Sequence, residues 1–199
     1  MTHLFSSILF ALSANLDNLT VGIAYGIKGV KIKPSANLLI ALVSAIGTFI
    51  SMSIGIVINK FIPSHISNIL GALILVLIGL WFIIDFFRNS IIGKNIDYHI
   101  DILDDPCKVD TDKSGVIDIK EAFLLAFALT INNFGLGIGA SITGLNICIS
   151  VIFTFIFSLL TIYLGLKIGK GSLSKIFGKY SPLVSGLIIL ILGIYEIII

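Results

Sequence analysis

Charge is what this chain has least of. Only 12% of its 199 residues are Asp, Glu, Lys or Arg, while 57% are hydrophobic. A water-soluble domain carries roughly a quarter charged residues and at most about half apolar ones, so that class is excluded. Cysteine is nearly absent as well. Cys107 and Cys148 stand in no metal-ligand spacing, and on the topology derived below they lie on opposite sides of a membrane, which argues against a disulfide. No apolar segment holds a Cys or His cluster, so a soft site for zinc or copper is not expected. There is no nucleophile–base pair, no phosphate-cradling glycine loop and no zinc motif, and an enzyme is not expected. The start, "MTH", lacks Lys and Arg, and Asp17 follows "ALSA" at once. The first apolar segment therefore reads as a retained span and not as a cleaved leader.

What the chain does have is long apolar runs. A bilayer-crossing helix needs roughly 20 mostly apolar residues. Six spans are expected, at 4–27, 36–59, 66–87, 119–143, 146–166 and 181–199, within one membrane domain covering 1–199. The fold class is an all-α membrane protein. The loops after spans 1, 3 and 5 hold 12 of the 13 basic residues, with only Lys60 on the other side. Basic loops stay in the cytoplasm, so a multi-pass plasma-membrane protein with both termini outside is expected. Those loops suit anionic lipid headgroups better than nucleic acid. The expected partners are the bilayer and a small solute; self-association is left open.

The two halves match each other. Setting Asp17 on Asn132 also pairs Asn18 with Asn133, Gly22 with Gly137 and Gly29 with Gly144. Each half has three spans, an odd number, so repeat one (4–87) and repeat two (119–199) enter the membrane in opposite senses. Inverted repeats of this kind place a substrate site near the midplane between them.

The polar residues fall where that plan puts the site. Asn15, Asp17 and Asn18 lie in the middle of span 1, and Thr130, Asn132 and Asn133 in the middle of span 4. A carboxylate at the bilayer centre costs roughly 2.5–3.5 kcal/mol on insertion scales, so it faces the bundle interior and has a partner. Ser13, Asp17 and Thr20 recur at i, i+4, i+7, one stripe of a continuous helix. Carboxylate, amide and hydroxyl oxygens suit a small hard cation. The competing reading makes the amides interhelical glue at about 0.6 kcal/mol per bond. The pairs Gly22/Gly26 and Gly135/Gly139 have GxxxG spacing and are expected to pack helices closely, although Gly135 could also mark a break in span 4. Glu196, near the outer end of span 6, is expected to snorkel to the interface.

One further pattern lies in the long cytoplasmic stretch 88–118. "DTDKSGVIDIKE", residues 110–121, fits a twelve-residue EF-hand loop. Asp110, Asp112 and Ser114 take positions 1, 3 and 5, and Gly115 is the turn glycine. Val116 offers its carbonyl at position 7, and Asp118 and Glu121 stand at 9 and 12. A Ca2+ or Mn2+ ion is the expected occupant. The alternative is that Asp118 caps the next helix, with Glu121 completing a capping box.

"ALSANLDNLTVGIAYG" and "EAFLLAFALTINNFGLGIGAS" resemble the paired signature segments of the MntP-like manganese efflux family, within the LysE-type exporter group. "DKSGVIDIKEAFLLAFAL" is closer still to its YtaF-like sporulation branch. The resemblance spans nearly the whole chain. It implies six spans, an inverted repeat and cation export. In the exporters each signature carries an intramembrane Asp; the first maps onto Asp17, but the second maps onto Asn132, and a further acid of span 2 matches near Gly47. Here a dication would face one negative charge. The resemblance therefore also leaves open a sporulation scaffold or sensor without transport, or export of an amino acid or another small solute.

Overall fold

The computed structural model describes residues 2–92, 109–112, 114–171 and 174–198. Eight helices and two very short strands are described: α1 (Thr2–Ser13), α2 (Leu16–Lys28), β1 (Lys31–Ile32), α3 (Pro34–Asn59), α4 (Ser64–Ile92), β2 (Val116–Ile117), α5 (Ile119–Asn132), α6 (Phe134–Ile142), α7 (Ile147–Gly169) and α8 (Ser174–Ile198). Four stretches are long and apolar enough to cross a membrane: Leu4–Lys28, Pro34–Asn59, Ile69–Arg88 and Ile147–Gly169. A fifth arises if Ile119–Ile131 and Phe134–Ile142, bent by 44°, form one span. Pro182–Ile198 is a shorter apolar helix. Helix α4 runs on to Ile92, five residues into the stretch expected to be loop. Residues 93–108, with Cys107, Tyr98 and His99, lie outside the described residues.

The helices are inside-out relative to those of a soluble protein. On α3 the buried face is Ala36, Ile40, Ser44, Thr48, Ser51 and Gly55, while Leu42, Ile46, Phe49 and Val57 point outward. On α7 the buried face is Ser150, Thr154, Ser158, Thr161, Gly165 and Gly169. These buried residues recur at helical spacing. Burying apolar groups gains nothing between helices in lipid, so small residues mark the contacts and large apolar ones face the acyl chains.

Helix α3 sits centrally, against α5, α6 and α7, while α2 packs on α7 and α4 on α8. At the α2–α7 crossing the backbones nearly touch. A Cβ on Gly22 would lie 2.8 Å from the Ile162 carbonyl oxygen, and one on Gly26 would lie 2.7 Å from that of Leu166. The second half does this differently than its GxxxG spacing predicts. Gly135 is exposed, with only Ile78 Cδ1 within reach at 3.7 Å. The close approach is instead Gly137 on Ser51 and Gly55 on Ser141 and Ile138. The face of α6 turned to α3 is therefore shifted by two residues.

Two apolar clusters occupy the ends of the bundle. One gathers Val21, Tyr25, Ile40, Val109, Ile117, Leu125, Leu129 and Ile162. The other gathers Phe10, Ala11, Ala14, Met52, Leu75, Leu136, Ile189 and Leu192. Along α3, Ile40 belongs to the first and Met52 to the second, so the hydroxyls of Ser44, Thr48 and Ser51 lie between them.

Candidate functional site

Span 1 was expected as a single helix, and span 4 as one with a break at Gly135 as the alternative; the structure breaks both, at an asparagine. Asn15 adopts φ −116°, ψ 8°, and Asn133 φ −94°, ψ 2°, both in the sparsely populated bridge region. The chemistry of the two breaks is the same. Each backbone N–H turns to the carbonyl three residues back, Asn15 to Leu12 and Asn133 to Thr130, both at 3.2 Å. Each side-chain amide then reaches the carbonyl four residues back: Asn15 Nδ2 to Ala11 O at 2.7 Å, Asn133 Nδ2 to Leu129 O at 3.2 Å. The side chain thus replaces the donor that the break withdraws, which matters where no water can do so.

Asn133 goes further. Its Nδ2 also donates toward Ala14 O at 2.7 Å and Asp17 Oδ2 at 2.8 Å. An amide nitrogen has two hydrogens, so three acceptors share them. Asp17 stands in the first turn of α2, where the helix dipole favours an anion, and its Oδ1 accepts from the Asn18 N–H at 2.8 Å. The acid of the first half and an amide of the second are thereby joined directly.

The other candidates divide. Asn15 and Asn18 are each 1% exposed; Asn18 Nδ2 donates to Asn15 Oδ1 and to Ser158 Oγ, both at 2.9 Å. They tie α2 to α7 and do not line the cleft described next. Thr130 does line it, and its hydroxyl bonds Ala126 O at 2.7 Å. Asn132 closes α5; its side chain lies outside the described residues. Ser13, Asp17 and Thr20 do not form one stripe, because the break turns Ser13 toward Ser185 of α8 while Thr20 bonds back to Leu16 O.

Beside Asn133 opens a small cleft, lined by Ala14, Ser44, Gly47, Thr48, Ser51, Thr130, Asn133 and Thr154. The hydroxyls of α3 and Thr154 were not among the residues singled out from sequence. The signal that could have found them is the Ser/Thr face at i, i+4 spacing on each of these two helices. Gly47 has a steric role here: the methyl of Thr130 fills the space a side chain at 47 would need. Glu196 does not snorkel. It is 4% exposed and accepts a hydrogen bond from Ser6, at the contact of α1 with α8.

The loop at 110–121 is built around Asp110, which is 7% exposed. Its Oδ1 accepts from Ser114 N–H at 2.9 Å and its Oδ2 from Gly115 N–H at 2.8 Å. Gly115 has φ +72°, which a residue with a Cβ rarely adopts. Carboxylate oxygens of Asp110, Asp112 and Glu121 lie within 4.8 Å of one another. Hydrogen bonds from the Ser114 side chain and backbone hold the Asp112 carboxyl below its usual range, with a smaller contribution from Lys33. Two expected ligands are otherwise engaged. Asp118 caps α5 in a full capping box with Glu121, and the Val116 carbonyl accepts from Ser114 Oγ at 3.1 Å. The loop's strand pairs with β1 in parallel, Lys31 opposite Val116 and Ile32 opposite Ile117, which joins it to the end of α2.

Several long apolar helices packed on small residues define a multi-pass membrane protein. The comparisons with known proteins agree: the chain belongs to the Putative manganese efflux pump (Mntp) family, whose model matches residues 1–83 and 103–197. It is 35% identical over 206 residues to "Probable sporulation protein YtaF" of Bacillus subtilis (strain 168), covering 96% of this chain and 98% of that one. It is 23% identical over 198 residues to "Putative manganese efflux pump MntP" of Bacillus mycoides (strain KBAB4), covering 98% and 96%. It is 24% identical over 191 residues to a protein of the same name from Bacillus thuringiensis (strain Al Hakam), covering 94% and 92%. No solved structure matches.

Proposed function

We propose that this protein is a secondary transporter that exports a small hard divalent cation, Mn2+ first among them, through the cleft beside Asp17. The observation that carries this reading is the 2.8 Å bond from Asn133 Nδ2 to Asp17 Oδ2, which joins the two broken helices at the cleft. Asp17 is the charged ligand. Amide and hydroxyl oxygens around it complete a hard-cation site.

Six spans in two inverted repeats fit the packing. Taking α1–α2 and α5–α6 as one span each, exchange of the halves turns the α2–α7 contact into the contact of α3 with α5 and α6. The same exchange turns the contacts of α8 with α1 and α2 into that of α4 with α6, and returns α4–α8 and α3–α7 to themselves. Gly29 and Gly144, paired by the sequence alignment, have φ of +74° and +87°. The basic loops are cytoplasmic on this reading, and both termini face outward. The loop at Asp110, Asp112 and Glu121 is then a cytosolic cation site for Ca2+ or Mn2+. Calorimetry with the full-length protein checks it: divalent uptake lost in Asp110→Ala is expected.

The central test is cellular manganese content. Cells making the protein should hold less manganese than cells lacking it, and Asp17→Ala should cancel the difference. Equal content in all three strains would count against export. A second reading, a sporulation protein without transport, is favoured by the name of the Bacillus subtilis relative. It wins if Asp110→Ala harms spore formation while Asp17→Ala does not.

A further inference from the structure

We propose that the cleft binds a singly charged alkali cation, Na+, with the Thr154 hydroxyl of α7 as one of its ligands. The inference rests on the reading of the cleft as the transport site and gives that site a second, monovalent ion.

The first observation is an orphan. Thr154 lines the cleft and is 2% exposed, and its Oγ1 has no hydrogen-bond partner among the described residues. Its neighbours on the same stripe are satisfied: Ser150 donates to Ser7 Oγ at 3.2 Å, Ser158 accepts from Asn18, and Thr161 donates to Phe157 O at 2.8 Å. Leaving a hydroxyl buried and unpaired is costly. A hydroxyl left unpaired in the wall of a cleft has its lone pairs free for a ligand.

The second observation is the balance of charge. The cleft is walled by neutral oxygens: Ser44, Thr48 and Ser51 of α3, Thr130 of α5, and Thr154. The carboxylate tied to it through Asn133 is that of Asp17. Glu196, the acid buried in the described spans, is engaged with Ser6 at the α1–α8 contact. A monovalent cation near one carboxylate leaves no net charge in the low-dielectric interior, so its desolvation is offset. Hydroxyl and carbonyl oxygens are hard donors, which suits Na+.

The experiment uses full-length protein purified in detergent, with binding of radioactive 22Na+ read by scintillation proximity in choline buffer. Saturable binding is expected, weakened at least about tenfold by Thr154→Val, retained by Thr154→Ser and abolished by Asp17→Asn. Gel filtration of each variant confirms that it is folded, and Thr154→Ser guards against a packing defect. Absence of saturable binding to folded wild-type protein overturns the proposal, as does a Thr154→Val variant that binds like wild type. Manganese flux into vesicles holding the same protein separates the two readings. Flux without 22Na+ binding sinks this inference and leaves manganese export standing. Thr154-dependent 22Na+ binding without flux supports it and sinks manganese export.

Discussion

The breaks at Asn15 and Asn133 share one device and differ in what surrounds it. Each uses an asparagine to satisfy the carbonyl four residues back when its own N–H has turned away. Asn15 is sealed inside the bundle, its Oδ1 accepting from Asn18. Asn133 is only half-buried and borders the cleft, where its amide also reaches Asp17. The lesson is that a broken helix in a membrane is first a hydrogen-bonding problem. Solving it with an amide leaves that amide free to serve a site only where the packing opens beside it. One break has kept a purely structural amide, and the other has a shared one.

Removing the charge tests the comparison most severely. Asp17→Asn makes both breaks neutral, and manganese content should rise to that of cells lacking the gene. Unchanged content would mean that the carboxylate serves packing, like Asn15. Next in size is Gly26→Leu, which forces a side chain into the α7 backbone and should lower stability by about 1–3 kcal/mol or more. Gly135→Ala, with open space around it, should stay within about 0.5 kcal/mol. Thermal unfolding in detergent reads both. The two breaks should then separate under alanine. Asn15→Ala leaves the Ala11 carbonyl and the Asn18 amide short of partners, a loss of about 1–3 kcal/mol in stability. Asn133→Ala should reduce export beyond any change in folding. If the two variants have the same profile in flux and in melting, the comparison fails. The smallest effect lies in the loop at 110–121. Ser114 holds the Asp112 carboxyl below the ordinary carboxylate value of 3.8. The folded loop therefore has its full contribution above that pH and loses it as the pH falls further and the carboxylate takes up its proton. Protection of the Ser114 amide in hydrogen exchange should drop in the same window. Protection that weakens on raising the pH would contradict the assignment.

Much of this was legible before any coordinates. Long apolar runs announced the helices, because a membrane-crossing backbone must satisfy itself. Asp17 and the asparagines marked the middle, because polar groups there are too costly to be incidental. The break in span 1 was not legible, and that in span 4 was legible only as the alternative placed at Gly135. Asparagine in an apolar run reads equally as glue, as ligand or as cap, and only its φ and ψ decide. The turn at residues 14 and 15 sends Ser13 to α8 and Asp17 to Asn133, so a stripe drawn on one unbroken helix dissolves. Glu196 was misplaced for a related reason: nearness to a helix end suggests water, yet α1 covers it.

By itself the sequence determined the class of environment, the helical content, the repeated polar centre and the acid–amide chemistry on offer. These follow from composition and spacing, which act locally along the chain. Only the tertiary structure decided which amide meets Asp17, which glycines cross, and that the cleft's second wall is made of hydroxyls from α3 and α7. Those choices depend on the rotation of each helix against its neighbours, and that rotation is set by side chains far apart in sequence packing at the same depth.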